Sequence, residues 1–242
     1  MELNQVEFLQ GLFSLIFVII AFILATKIML KYFEKRNTDF IYFSLGWIGI
    51  ANPWIPDAIT FITILLTGAP LSPVLYFIIG FTFFPVLTLF WVIVIRKIVF
   101  AKYYNLVLII YLAISIIFEI GFFFLLFTDI EQVGVHTTPF QVEFGIFMIV
   151  CLLCMVVMAI IVWMIFSIGS MKLDDPNFKL RGKIIFLAFI AFFTAIIVDS
   201  VLGAIDPLWI IFNRIILIIS GILFYIGFIL PERIKKIFIT EI

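Results

Sequence analysis

Residues 104–128 read YNLVLIIYLAISIIFEIGFFFLLFT, a stretch in which Glu119 is the sole acidic or basic side chain. A helix crosses the ~30 Å hydrocarbon layer of a bilayer with ~20 mainly apolar residues, and this run exceeds that length without alternating polar and apolar positions. The absence of alternation also excludes a membrane β-barrel, whose strands are segments of ~10 residues with a period of two. Working outward, further runs of the same kind lie near 8–33, 39–67, 71–98, 141–169, 181–205 and 207–231. With 66% hydrophobic and 12% charged residues and a mean hydropathy of +1.35, the chain carries more apolar surface than a water-soluble core can hide. The expected fold is all-α, an integral membrane seven-transmembrane helix bundle forming one domain over residues 1–242.

The basic residues set the expected orientation. Lys27, Lys31, Lys35 and Arg36 follow the first run, Arg96, Lys97 and Lys102 the third, Lys172, Lys179, Arg181 and Lys183 the fifth, and Arg233, Lys235 and Lys236 the seventh. The other gaps, Met1 to Glu7, Thr67 to Ser72, Thr128 to Glu143 and the turn at Asp206-Pro207, carry neither Lys nor Arg. Cytoplasmic loops collect Lys and Arg, so the N-terminus is expected outside and the C-terminus in the cytoplasm, in a multi-pass protein of the cell membrane. The first run lacks a basic leader and a small-residue cleavage site, which reads as a retained helix. After Pro231, residues 232–242 place Ile234, Ile237 and Phe238 at helical spacing among lysines, the pattern of a short amphipathic helix lying in the cytoplasmic interface.

The second run is irregular, because Asn52-Pro53-Trp54-Ile55-Pro56-Asp57 places two prolines, an amide and a carboxylate at membrane depth. Each proline removes a backbone donor and clashes with the preceding turn, so a kink or unwound segment is expected, its freed carbonyls satisfied by protein or by water in a cavity. At ~1.5 Å of rise per residue, Asp57, Glu119, Asp199 and Arg214 all fall in the outer half of the bundle. A charge there costs at least ~2.5 kcal/mol on insertion scales, so each is expected to face the interior beside a partner or water. Asp199 and Arg214 are the expected pair, because the short turn at Asp206-Pro207 makes the sixth and seventh helices antiparallel neighbours. Asp57, Glu119, Asp199 and Arg214, with Asn52, Asn213 and Trp54, form the candidate ligand or ion pocket. It would open outward, near Ser200 and Trp209, with Glu143 and Asp206 adding negative charge at its mouth. A plain proline kink and a structural Asp199–Arg214 bridge are the alternatives.

Enzyme chemistry finds no footing. His136, the one histidine, stands in the outer Val133–Pro139 stretch without metal-ligand company. Cys151 and Cys154 share a helical face at membrane depth, where they behave as small apolar side chains. The chain has no P-loop, HExxH or GxSxG, and Arg214 stands where a retinal Schiff base needs lysine, so neither a cofactor nor a metal is expected. The 32 phenylalanines are explained by lipid-facing and interhelical packing, and Gly46, Gly49 and Ala51 permit close helix approach.

Seven helices with the N-terminus outside, the segment Trp47-Ile48-Gly49-Ile50-Ala51-Asn52-Pro53-Trp54-Ile55-Pro56 and the exit Ile226-Gly227-Phe228-Ile229-Leu230-Pro231-Glu232 resemble archaeal seven-helix membrane proteins of uncharacterised function. More distantly, the chain is similar to the seven-helix sensor region at the N-terminus of some histidine kinases. In that family a signalling domain follows the bundle, whereas none follows Ile242 here, so the resemblance implies output through a separate cytosolic or membrane partner. It carries over no functional residue.

Three functions are compatible with these residues. One is a receptor-like sensor, in which a small ligand or cation from outside biases helix packing for signal transduction. Another is a small secondary transporter or proton- or cation-linked carrier with Asp57, Glu119 and Asp199 as relay. The third is a membrane scaffold without ligand. The lipid bilayer is the expected partner in each, and nothing in the sequence suggests nucleic acid.

Overall fold

The computed structural model describes residues 2–99, 104–201 and 207–239; within these, the side chains at 95–99, 104, 162, 197, 199–201, 207, 208, 210 and 211 are outside the description. Ten helices account for nearly all of it: α1 (Gln5–Lys35), α2 (Asp39–Ala51), α3 (Ile55–Thr67), α4 (Pro73–Phe81), α5 (Phe84–Val99), α6 (Tyr104–Thr128), α7 (Ile146–Met171), α8 (Pro176–Val201), α9 (Pro207–Ile229) and α10 (Glu232–Phe238). Among the described residues, six spans are long and apolar enough to cross a membrane: Gln5–Lys35, Asp39–Thr67, Pro73–Val94, Asn105–Thr128, Ile146–Met171 and Phe212–Ile229. The expected sixth run falls on α8, whose first turns carry Lys179, Arg181 and Lys183 and whose last side chains are outside the description.

Local chemistry sets where these helices start and stop. Asn4 caps α1 by accepting from the amides of Val6 (3.0 Å) and Glu7 (2.9 Å), while the Glu7 carboxylate accepts from the Asn4 amide (2.9 Å). The helical pattern of the second run changes to a 310 turn over Asn52–Trp54 before α3 begins at Ile55. Pro56 then occupies the second position of α3, where a missing N–H leaves no hydrogen bond unmade and the fixed φ suits the helix. The third run is also interrupted, which its apolarity conceals. α4 ends at Phe81 and α5 begins at Phe84, because Pro85 has no N–H for the carbonyl of Phe81. The two interruptions face each other: the Asn52 amide donates to the carbonyls of Gly80 (2.6 Å) and Ile79 (3.3 Å). At the second break, the Tyr111 hydroxyl donates to the Pro85 carbonyl at 2.8 Å and is hydrogen-bonded to Thr88.

The 128–143 connection, expected to be loop, holds a 310 turn at Ile130–Gln132 and a hairpin of β1 (Gly134–Thr138) and β2 (Gln141–Phe144). The strands pair antiparallel, Val135 opposite Glu143 and His136 opposite Val142, with an irregularity between His136 and Thr138. The hairpin lies over the end of the bundle that holds the start of α1 and the end of α3, where Phe140 packs with Phe61 and Ile64.

Packing is dominated by aromatics. Trp47, Trp91, Trp163, Phe189, Phe224 and Phe228 belong to one core shared by α2, α5, α7, α8 and α9, with Trp91 and Trp163 edge to face at 4.2 Å between ring centroids. α2 and α5 come close because a Cβ on Gly46 would stand 2.7 Å from Trp91 Nε1, and one on Gly49 2.6 Å from Leu87 Cβ. A second core, Tyr76, Phe77, Phe118, Phe122 and Met148, lies beneath the hairpin. α6 is peripheral and turns Ile116, Ile117, Ile120, Phe124 and Phe127 outward, as a lipid-facing helix does.

Candidate functional site

Four elements converge on one buried ion pair. Asp57, in the first turn of α3, is 3% exposed, and Arg214, on α9, is 2% exposed. The 310 turn matters here because it creates a new helix N-terminus, whose partial positive charge favours a carboxylate in its first turn. Arg214 Nη2 stands 3.7 Å from Asp57 Oδ2. Its Nε donates to the Ser14 hydroxyl of α1 (3.2 Å), and Ser14 in turn donates to Asp57 Oδ2 (3.4 Å). From α4, the Tyr76 hydroxyl donates to Asp57 Oδ1 at 2.5 Å. The guanidinium also lies 5.8 Å over the ring of Trp54, the last residue of the 310 turn, a cation–π contact.

The cluster borders a cavity of about 800 Å³. Gln10, Trp54, Asp57, Tyr76 and Arg214 line it from the bundle, while Thr137, Thr138, Gln141 and Glu143 line it from the hairpin. Gln10 ties the two halves together, its amide donating to the Phe140 carbonyl (3.2 Å). Tyr76 does the same from α4, stacking edge to face with His136 at 4.6 Å between centroids. Glu143 is exposed at the hairpin rim. Among the described residues, the charged side chains lining the cavity are Asp57 and Arg214 inside and Glu143 at the mouth.

The sequence-predicted residues distribute unevenly over this site. Asp57, Arg214 and Trp54 come together as a cavity wall. Asn52 is buried but clamps the α4 break instead of lining the cavity. Asn213 is fully buried, and neither atom of its amide has a hydrogen-bond partner. Glu119 lies on α6, partly buried, and does not line the cavity. The side chains of Asp199 and Ser200, and Asp206 as a whole, lie outside the description, and the expected Asp199–Arg214 pair with them; the ion pair described for Arg214 is with Asp57. Among the described residues no group of His, Cys, Asp and Glu has the arrangement of a metal site. Cys151 is buried and Cys154 exposed, both as free thiols.

Gln10, Ser14 and Tyr76 were not anticipated. Gln10 and Ser14 are four residues apart in an apolar run, hence on one helical face, and that spacing was the available signal. Compared with protein-family models, curated proteins and solved structures, the chain matches none. The site is therefore read from its own geometry.

Proposed function

We propose that this chain is a seven-helix membrane sensor, N-terminus outside and C-terminus cytoplasmic, that takes a small ligand into the outer cavity and signals through a separate partner. The single observation that carries this reading is the Asp57–Arg214 cluster at the wall of an 800 Å³ cavity, held by residues from α1, α3, α4 and α9. Intramembrane charges are expensive and ordinarily mark function, and a pocket of ~300–1,000 Å³ suits a small organic ligand. α8 supplies the seventh crossing, and the basic gaps give the orientation.

The mechanism is a population shift between two packings. A ligand hydrogen-bonding to Tyr76, Gln10 or the Asp57 carboxylate competes with contacts that join α1, α3, α4 and α9. The 310 turn at Asn52–Trp54, which interrupts an otherwise continuous helix, is the element that absorbs the change. The relay of a proton-linked carrier is less well supported, since Glu119 does not line the cavity and Asp57 is matched by Arg214.

Thermal unfolding of the solubilised protein against a panel of polyols, amino acids, polyamines and short carboxylates tests the reading. A compound that raises Tm in wild type and leaves Gln141→Trp, which narrows the mouth, unchanged is the expected result. Cation or proton flux in proteoliposomes that disappears in Asp57→Asn would overturn it in favour of a carrier.

A further inference from the structure

A second cavity of about 400 Å³ adjoins the polar one, and the two share Pro53, Trp54, Phe81, Phe144 and Ile149 as common walls. Its character is different. Among the described residues no acidic or basic side chain lines it, and its polar side chains are Thr88, Tyr111 and tryptophan indoles. The hydroxyls of Thr88 and Tyr111 are bonded to one another and to the carbonyls of Phe84 and Pro85, so they are already engaged at the α4–α5 break. The chamber continues between α5, α7 and α8 past Trp91, Trp163 and Phe192. On its α7 side two lining residues are also open to the outside of the bundle, Ile149 at 50% and Leu153 at 59% exposure. In a bilayer those two side chains meet acyl chains.

From this juxtaposition we infer that the ligand is a single-chain amphiphile taken from the bilayer, its apolar chain in the α5–α7–α8 chamber and its neutral hydroxyl-bearing head in the polar cavity. The inference rests on the reading of the outer cavity as a ligand site and adds the chemical class. Size and continuity argue for one chain joined to one head, since each cavity alone has the volume of a small-ligand site and they meet at Trp54. Charge argues for neutrality. Among the described residues Asp57 and Arg214 balance one another inside, and Glu143 at the rim opposes an anionic headgroup. The head finds Tyr76, Gln10, Thr138 and Gln141 as hydrogen-bonding side chains along its wall.

Tryptophan fluorescence tests this directly, because Trp54, Trp91 and Trp163 line the chamber. Wild-type protein in phosphatidylcholine nanodiscs is titrated with a monoacylglycerol carrying a dibrominated chain. Saturable quenching, reversed by unlabelled monooleoylglycerol, is expected, together with at least about fivefold weaker binding of the dibrominated lysophosphatidylglycerol. Glu143→Gln narrows that difference. Val156→Phe and Ala159→Phe, one helical turn apart on the chamber wall, each weaken the monoacylglycerol by about tenfold or more. Linear quenching that matches dibrominated phosphatidylcholine and is not competed in wild type overturns the inference, since the chamber then merely admits bulk lipid. A water-soluble compound that stabilises wild type but not Gln141→Trp, alongside such unsaturable quenching, would leave the outer site standing while the amphiphile fails.

Discussion

Asp57 and Arg214 are each almost completely shielded from solvent, so the consequence of removing one is set by what the other is left to do. Breaking a buried ion pair from one side strands a charge and costs ~3–5 kcal/mol, whereas replacing both partners with apolar groups of similar volume is often close to neutral. Asp57→Leu and Arg214→Met are each expected to destabilise the bundle by about that amount, and the double substitution Asp57→Leu/Arg214→Met to recover most of it. Equilibrium unfolding in mixed micelles measures all three; additive losses in the double variant would mean that the two side chains are not energetically a pair. Tyr76→Phe removes a hydrogen bond to a charged carboxylate and is expected to cost ~1.5–3 kcal/mol by the same measurement. These partnerships were only partly legible in the sequence. The intramembrane charges and Trp54 were visible as anomalies in apolar runs, but which charges meet depends on how helices far apart in the chain pack. Adjacency of the last two helices points Arg214 to Asp199, whose side chain lies outside the described residues; the Ser14 and Asp57 partners come from α1 and α3, remote in the chain, and no local pattern announces them.

Among the elements, the hairpin carries a histidine whose burial ties its stability to pH. His136 stands outside the membrane-spanning helices, and burial holds its imidazole below the usual value of 6.5, only partly opposed by a backbone hydrogen bond at Thr138. A histidine whose folded pKa is lowered is neutral in the folded state, so the unfolded state binds more protons. Its contribution is therefore fully present above pH 6.5 and is lost as pH falls through 6.5 toward the lower folded value. Protection factors for hydrogen exchange across residues 134–144, referred to the intrinsic exchange rate at each pH, are expected to fall below about pH 6.5 in wild type, and His136→Phe to flatten that response. An identical pH profile in both proteins would place the sensitivity elsewhere. The breaks behave differently from the hairpin, being held by side-chain clamps. Asn52→Leu leaves the Ile79 and Gly80 carbonyls without that donor and is expected to cost ~1–3 kcal/mol, read from thermal unfolding against the isosteric Asn52→Asp. Sequence pattern revealed the Pro53–Pro56 interruption because two prolines flank a polar pair. It concealed the one at Pro85, whose nearby polar residues, Thr82 and Thr88, are ordinary in a membrane helix and whose clamps Asn52 and Tyr111 come from other helices. The hairpin's β-branched Val135, Thr137, Thr138 and Val142 around Pro139 were a readable strand-turn-strand signal, outweighed by the polarity of the gap.

At the scale of the molecule, the apolar runs account for the bundle because lipid leaves a backbone few alternatives: each span must satisfy its own hydrogen bonds, so length and hydropathy suffice to place it. The number of crossings is the point at which that logic meets its hardest case. α8 begins with Lys179, Arg181 and Lys183, and its last residues lead into a segment outside the described structure. Whether α8 crosses decides the side on which everything after it emerges. If it does, the α7–α8 turn and the start of α10 share one face of the membrane, opposite the hairpin. Single cysteines at Asp174, Glu232 and Val135, in a background with Cys151 and Cys154 replaced by alanine, separate the alternatives with a membrane-impermeant maleimide. The exposed positions Asp174 and Glu232 are expected to label only after permeabilisation, and Val135, 48% exposed on the hairpin, to label in intact cells. Labelling of Asp174→Cys and Glu232→Cys on opposite faces would leave six crossings and put α10 outside, where its lysines would no longer face the anionic cytoplasmic leaflet. The same outcome would remove the route by which a shift at the Asn52–Trp54 turn, carried through α9, reaches a cytosolic partner.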